Sequence, residues 1–200
     1  SSLGAHATYA NSVVRIQTSK IKANLAPYSL VKAMRASFWV LGPLLARTGF
    51  AQVALPGGDA IGTRPVDLHL EGLAKLGADI QIKNGLVIAR SSVPLKPAKI
   101  KFAFPSVGAT HQLLMAMSLI PGESKIIGAA KEPEIVEVGM FLASMGAEVS
   151  GLGTSEITII GKEKLRGAQA MVCGDRIEAV TYLTSAAMTG GEITVSGIAI

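Results

Sequence analysis

Residues 55–70 read Leu-Pro-Gly-Gly-Asp-Ala-Ile-Gly-Thr-Arg-Pro-Val-Asp-Leu-His-Leu, and this stretch holds the residue types best suited to chemistry. An apolar, strand-like run enters Pro56-Gly57-Gly58. That is a tight bend, because glycine reaches positive φ without steric cost. Asp59 stands at the tip and Arg64 follows on the same loop. Pro65 behind it suits the first turn of a helix. A guanidinium and helix N–H groups can hold a small anion, and a nearby carboxyl group can move a proton. On spacing alone, an aspartate that caps the next helix is the stronger reading of Asp59. Asp67 is, equally, a favourable first-turn aspartate.

Three further places could serve such a site. Arg35 lies in an otherwise apolar helical stretch beside Met34, Phe38 and Trp39, and a buried guanidinium needs an anion, from a carboxylate or from a ligand. Ser106-Val107-Gly108 opens a helix whose N–H groups could hold a diphosphate, with Ser106 also serving as the N-cap. The preceding Phe104-Pro105 brings no charged side chain. Lys131, Glu132 and Glu134 read as facing solvent or a further domain, and Asp175-Arg176 as a helix cap with an internal ion pair. His69 and His111 have no metal-ligand company. Cys173 reads as a small buried hydrophobe, and Met115 and Met117 as core.

The elements that must position these residues come from a repeat. Gly4, Gly77 and Gly146 are spaced 73 and then 69 residues apart, and Gly49, Gly122 and Gly191, each ending a helical pattern and preceding a strand, repeat both intervals. Two markers in phase point to three copies of one unit. Each Gly-Ala is followed by two short strands; in the second unit these are 79–83 and 86–90, joined by Asn84-Gly85, a hairpin signal. A third short strand comes next, as at 98–102. A first helix follows at 28–41, 107–120 and 176–188. A strand then follows at 52–55, 124–127 and 192–195, and a second helix at 65–76 and 133–145. The first helices are apolar nearly all round, so they should be buried on several sides. The second are amphipathic, with Ile135, Val138, Phe141 and Leu142 inward and Glu134 and Glu137 outward. Inner helices packed together under outer sheets make one α/β domain across residues 1–200. The ends do not close the pattern, so the chain reads as a fragment of a longer one.

Composition narrows the classes. Hydrophobic residues make up 49% of the 200 but aromatics only 4%, so Leu, Ile, Val, Ala and Met must build the core. No apolar run approaches the ~20 residues of a membrane span, and no signal peptide is visible. A single cysteine forbids an internal disulfide and favours the cytoplasm. The net charge of +5 is spread without a nucleic-acid-binding stripe.

Several motifs together resemble one family. Tyr28-Ser29-Leu30-Val31-Lys32-Ala33-Met34-Arg35-Ala36-Ser37, the 55–69 segment, Ser106-Val107-Gly108-Ala109-Thr110, Glu132-Pro133-Glu134-Ile135 and Asp175-Arg176-Ile177-Glu178 occur in that order. They are similar to signatures of the UDP-N-acetylglucosamine 1-carboxyvinyltransferases, members of the enolpyruvyl transferases. The resemblance covers essentially the whole chain. It implies an inside-out α/β barrel whose domains are each built from three βαβαββ-type units, this chain covering mostly one of two domains. It implies transfer of the enolpyruvyl group of phosphoenolpyruvate to the 3-hydroxyl of UDP-N-acetylglucosamine with release of phosphate, as the committed step of peptidoglycan synthesis. Neither metal nor organic cofactor is implied.

By that resemblance Asp59 is the catalytic residue, standing where most members carry a cysteine that fosfomycin alkylates. Insensitivity to fosfomycin is therefore expected. Arg64 is implied to contact phosphoenolpyruvate, Pro65, Val66, Asp67 and Leu68 to line the uridine pocket, and Arg35, Ser106, Val107 and Gly108 to bind substrate. The family's lysine–asparagine pair and its second-domain aspartate and arginines have no counterpart here, so the segment alone is expected to lack turnover. The alternatives are 5-enolpyruvylshikimate-3-phosphate synthase, which should lack Arg-Pro-Val-Asp-Leu, and a non-catalytic nucleotide-sugar-binding module.

Overall fold

In a computed structural model, residues 2–56, 65–92 and 94–198 are described. The chain divides into two compact units, residues 1–167 and 168–200.

In the first unit, two four-stranded sheets share one plan. One has the order β3 (Leu25–Ala26), β4 (Phe50–Ala54), β6 (Leu86–Arg90), β5 (Asp79–Lys83). The other runs β7 (Lys99–Lys101), β8 (Gly122–Ile127), β10 (Glu156–Gly161), β9 (Glu148–Ser150). In each, the first pair is parallel and the others antiparallel. Alternation puts Ala51, Val53, Val87 and Ala89 on the buried face of one sheet and Ile126, Ile157 and Ile159 on that of the other. A hairpin of β1 (His6–Ala10) and β2 (Val13–Gln17) forms a separate two-stranded sheet with every residue exposed. At Asn84-Gly85 both residues take positive φ, 52° and 73°, as a two-residue hairpin turn requires.

The repeated Gly-Ala is a helix stop. After α3 (Asp67–Lys75), Gly77 has φ 101°, its N–H donates to Ala74 O, and the Ala78 N–H donates to Leu73 O. After α5 (Pro133–Ser144), Gly146 has φ 113°, with the same bonds from Gly146 to Ala143 O and from Ala147 to Leu142 O. This paired closure needs a left-handed residue, hence glycine. The carbonyls of Leu3, Leu76 and Met145 then accept from the N–H groups of Lys22, Lys96 and Arg166 at 3.0, 2.9 and 2.9 Å. The repeat is therefore a repeated set of backbone hydrogen bonds.

Some expected elements differ. The helix read at 28–41 is broken into α1 (Tyr28–Val31), an extended Met34, a 3-10 helix (Arg35–Val40) and α2 (Leu41–Thr48). Pro43 accounts for the restart at Leu41: it has no N–H to donate, and there it stands in a first turn, where none is needed. Pro65 precedes α3 instead of opening it, whereas Pro133 is the first residue of α5. The inner helix α4 ends at Met117, so Gly122 is the first residue of β8 and not a helix stop. Phe141 is exposed. The inner stripe of α5 runs through Ile135, Gly139 and Leu142, and Leu152 packs directly on Gly139.

α4 (Val107–Met117) is the buried axis of this unit, packed by α2, α3, α5 and the 3-10 helix. A Cβ on Gly72 of α3 would stand 2.5 Å from Leu113 Cδ1, and one on Gly42 of α2 would stand 2.8 Å from the Gln112 carbonyl. The helices can approach this closely only because both positions are glycine.

The second unit contains α6 (Arg176–Thr189), capped by Asp175 and stopped by left-handed Gly190, one residue before the expected Gly191. Residues 192–195 are not a strand. Their equivalents in β4 and β8 are held by a strand on each side, and 192–195 have none among the described residues. Cys173 is half-buried, more open than expected.

Candidate functional site

Three segments meet at the start of α4. The first is the 3-10 helix that begins with Arg35. A Cβ on Gly108 would lie 3.0 Å from Trp39 Nε1, and the Trp39 ring stacks on His111 with centroids 4.4 Å apart and planes at 10°. The second is the start of α3: His69 Cε1 and Nε2 stand 3.1 Å from that same Cβ position. The third is the loop into α5 with that helix's first turn, whose Glu134 and Glu132 carboxylates are felt at His111.

Pairs along the helices fix their direction. Gly108 and Gln112 meet His69, and further on Leu113 meets Gly72. Trp39 meets Gly108 and His111, and further on Gly42 meets Gln112 and Ala116. α4, α3 and the 3-10/α2 segment therefore run the same way, with their N-termini at one end. First-turn N–H groups carry partial positive charge, so converging N-termini favour an anion.

The sequence-selected residues fall as follows. Arg35 is half-buried at the first position of the 3-10 helix, and its charge reaches His69. Val66 is the buried N-cap of α3, Asp67 is exposed in its first turn, Leu68 is half-buried, and exposed Pro65 precedes them. Ser106 is the N-cap of α4, its Oγ accepting from the Ala109 N–H at 3.3 Å; Val107 and Gly108 form the first turn. The structure thus brings Arg35, the 65–68 segment and Ser106-Val107-Gly108 to one end of the helix cluster. Asp59 and Arg64 lie outside the described residues.

Polar bonds hold this end. Thr110 Oγ1 donates to Ser106 O at 2.7 Å and accepts from the Ala130 N–H at 3.2 Å, tying α4 to the loop before α5. His111 Nδ1 bonds the Val107 carbonyl at 3.1 Å. Burial lowers the pKa of His111 despite that bond and the nearby Glu134 and Glu132. His69 is buried, edge-on to Phe38, and its Nδ1 bonds Gln112 Oε1 at 2.5 Å. Burial lowers its pKa too, Gln112 opposing and Arg35 assisting.

Four residues were missed by the motif reading: Trp39, His69, His111 and Gln112. Read from the sequence, the two histidines stand only as candidate metal ligands without company. The signal available was three adjacent polar residues, Thr110, His111 and Gln112, inside an otherwise apolar helix. Among the described residues, no group of three or more His, Cys, Asp or Glu side chains is placed to hold a metal. Nor is any helix there long and apolar enough to cross a membrane.

The family profile described as EPSP synthase (3-phosphoshikimate 1-carboxyvinyltransferase) matches residues 1–200. The chain belongs to the EPSP synthase family. Within that family, it is 53% identical over 189 residues to the UDP-N-acetylglucosamine 1-carboxyvinyltransferase of Azorhizobium caulinodans, covering 94% of this chain and 44% of that protein. It is 47% identical over 201 residues to the protein of that name from Trichormus variabilis, covering 99% and 45%. The chain therefore spans less than half the length of these relatives. Among solved structures, the enolpyruvyl transferase NikO from Streptomyces tendae matches with a TM-score of 0.76 at 22% identity, over 91% of this chain and 43% of that one. An EPSP synthase from Acinetobacter baumannii matches with a TM-score of 0.71 at 19% identity, over 100% and 46%. At these identities the structures establish the fold alone, the inside-out α/β architecture that the resemblance implies. The resemblance to the UDP-N-acetylglucosamine 1-carboxyvinyltransferases read from the motifs is borne out by relatives of that name matched over 94% and 99% of this chain.

Proposed function

We propose that this chain is the part of a UDP-N-acetylglucosamine enolpyruvyl transferase that carries its catalytic loop and much of its nucleotide-sugar site. The observation that carries the reading is the convergence of the α3 and α4 N-termini beside Arg35. That arrangement suits a diphosphate, and the chain is 53% and 47% identical to two relatives bearing that enzyme's name.

In the proposed reaction the 3-hydroxyl of the sugar adds to C2 of phosphoenolpyruvate while C3 gains a proton. The resulting tetrahedral ketal then loses phosphate from C2 and a proton from C3, which restores the double bond. Asp59 is assigned the proton transfer. A carboxyl group can act as the acid if desolvation raises its pKa from ~3.9. Arg64 and Arg35 hold anionic groups of the substrates, Pro65 to Leu68 line the uridine pocket, and Ser106, Val107 and Gly108 hold the diphosphate. No metal or organic cofactor is assigned. The product would serve cytoplasmic peptidoglycan synthesis.

Phosphate release by the full-length protein, with phosphoenolpyruvate and UDP-N-acetylglucosamine together, tests this. Release that requires the nucleotide sugar supports the reading; release with 3-phosphoshikimate instead supports the sister activity. Residues 1–200 alone are expected to give no turnover, because the family's remaining groups are absent from them. Asp59 forms no stable thioether, so fosfomycin should leave the full-length enzyme active and should inhibit the Asp59→Cys variant. Potent inhibition of the unaltered enzyme would remove Asp59 from its assigned place.

A further inference from the structure

His69 is placed by more contacts than a packing residue in the first turns of α3 needs. Its ring stands edge-on to Phe38 with centroids 5.3 Å apart, and its Nδ1 is bonded by Gln112 Oε1. Gln112 is wholly buried, and its Nε2 has no hydrogen-bond partner among the described residues. Leaving a buried amide donor unsatisfied is costly. The amide oxygen can only accept. With Oε1 turned to the ring as the acceptor, Nδ1 carries the proton, which leaves Nε2 bare in the neutral ring. Nε2 is the nitrogen that faces Gly108, in the turn of α4 whose N–H groups have no intrahelical partner.

We propose, resting on the site reading above, that His69 is a ligand-binding residue. Its Nε2, protonated as the anion binds, donates a hydrogen bond to the phosphate oxygens held at the first turn of α4, and Gln112 is the positioning residue that fixes the ring. In the empty site the proton is disfavoured by burial and by Arg35 from the 3-10 helix. The α4 side offers only the uncharged Gln112 and Gly108 toward His69, with His111 stacked away on Trp39. On α3 itself the nearby carboxylate, Asp67, is exposed. A bound diphosphate supplies the missing negative charge and draws the proton on. Binding is then linked to proton uptake. Affinity is full below the pKa of the empty site and is lost as pH rises through the pKa of the occupied one, by up to about tenfold per pH unit. Gly108 stays small because any side chain there would fill the space between Trp39 Nε1 and His69 Nε2.

The test is calorimetric titration of the full-length protein with UDP-N-acetylglucosamine and, separately, with inorganic pyrophosphate. Each is run near neutral pH in two non-phosphate buffers of different ionisation heat. The expected result is uptake of up to one proton per ligand. His69→Asn keeps an amide toward Gln112 but removes Nε2; it should abolish the uptake, flatten the pH profile and weaken binding by about tenfold or more. Gln112→Glu should hold the proton on His69 in the empty site, reducing uptake and shifting the pH profile upward, which a merely structural role would not do. Nucleotide-sugar binding without proton uptake, unchanged by His69→Asn, overturns the proposal and leaves the proposed function standing. Pyrophosphate binding with proton uptake but no nucleotide-sugar binding supports His69 and overturns that function. Binding of neither ligand overturns both.

Discussion

α4 and α6 occupy equivalent places in the repeat, 69 residues apart, and differ in almost everything their surroundings decide. Both begin at an oxygen cap and both are mostly apolar. In α4 the side chains of Leu113, Leu114 and Met117 are wholly buried. In α6 only Ala179 is buried, while Ile177, Val180, Leu183 and Met188 are exposed. An apolar helix face states a demand for cover, and neighbouring elements meet it or do not. α4 is covered because Gly42, Gly72 and Gly108 let α2, α3 and Trp39 lie directly on it. A polar cluster then fixes its N-terminal end, where the candidate anion site forms. Site geometry in this chain is therefore a product of helix packing, and α6 shows what an equivalent sequence looks like without it.

The largest expected effect separates the two helices directly. Leu113→Ala should destabilise the first unit by about 2–5 kcal/mol, through lost burial plus the cavity left against Gly72. Leu183→Ala in α6 removes the same atoms from a side chain 44% exposed and should change stability by no more than about 0.5 kcal/mol. Denaturant unfolding of the two variants measures this. Equal losses would mean that α6 is covered in solution and that the contrast fails.

That contrast also marks what could be read in advance. The strand pairs at 79–83 and 86–90, the capping role of Ser106 and the Gly-Ala helix stops are local, set by two-residue turns, single side chains and backbone φ, so the sequence carries them. The break at Met34, the loss of a strand at 192–195 and the exposure of Phe141 depend on what lies alongside. Pro43 signals only the restart of the helix at Leu41. Nothing within 192–195 announces that no strand pairs with it among the described residues. In the site, Arg35, the 65–68 segment and Ser106 to Gly108 are legible as motifs. His69 and Gln112 become partners only through the packing of α3 on α4, across 43 residues of chain. Their pairing has no local signature.

A second effect follows from the same polar cluster. His69 and His111 both have pKa values lowered in the folded chain, chiefly by burial. In the unfolded chain each returns to its ordinary value near 6.5 and binds more protons than the folded form below it. Their contribution to stability is therefore complete above about pH 6.5 and is lost as pH falls through the lowered folded values. Amide exchange followed peptide by peptide should show α3 and α4 loosening on mild acidification, ahead of α6, which carries no histidine. Uniform loosening of all three would break this part of the comparison.

The smallest effect should erase the difference between the helices. Ser106 Oγ accepts from one first-turn N–H, and Asp175 Oδ1 accepts from those of Ile177 at 2.8 Å and Glu178 at 3.2 Å. Capping acts within one turn and depends little on what covers the remaining helix. Ser106→Ala and Asp175→Ala should each cost about 1 kcal/mol in the stability of their own helix, read as faster amide exchange at 107–110 and at 176–179. Asp175 adds a charge that favours the helix N-terminus, so its loss should soften in high salt while that of Ser106 does not. A cost several times larger at Ser106 would mean that burial amplifies capping. The N-terminal end of α4 would then owe its order to the helices around it more than to its own first turn.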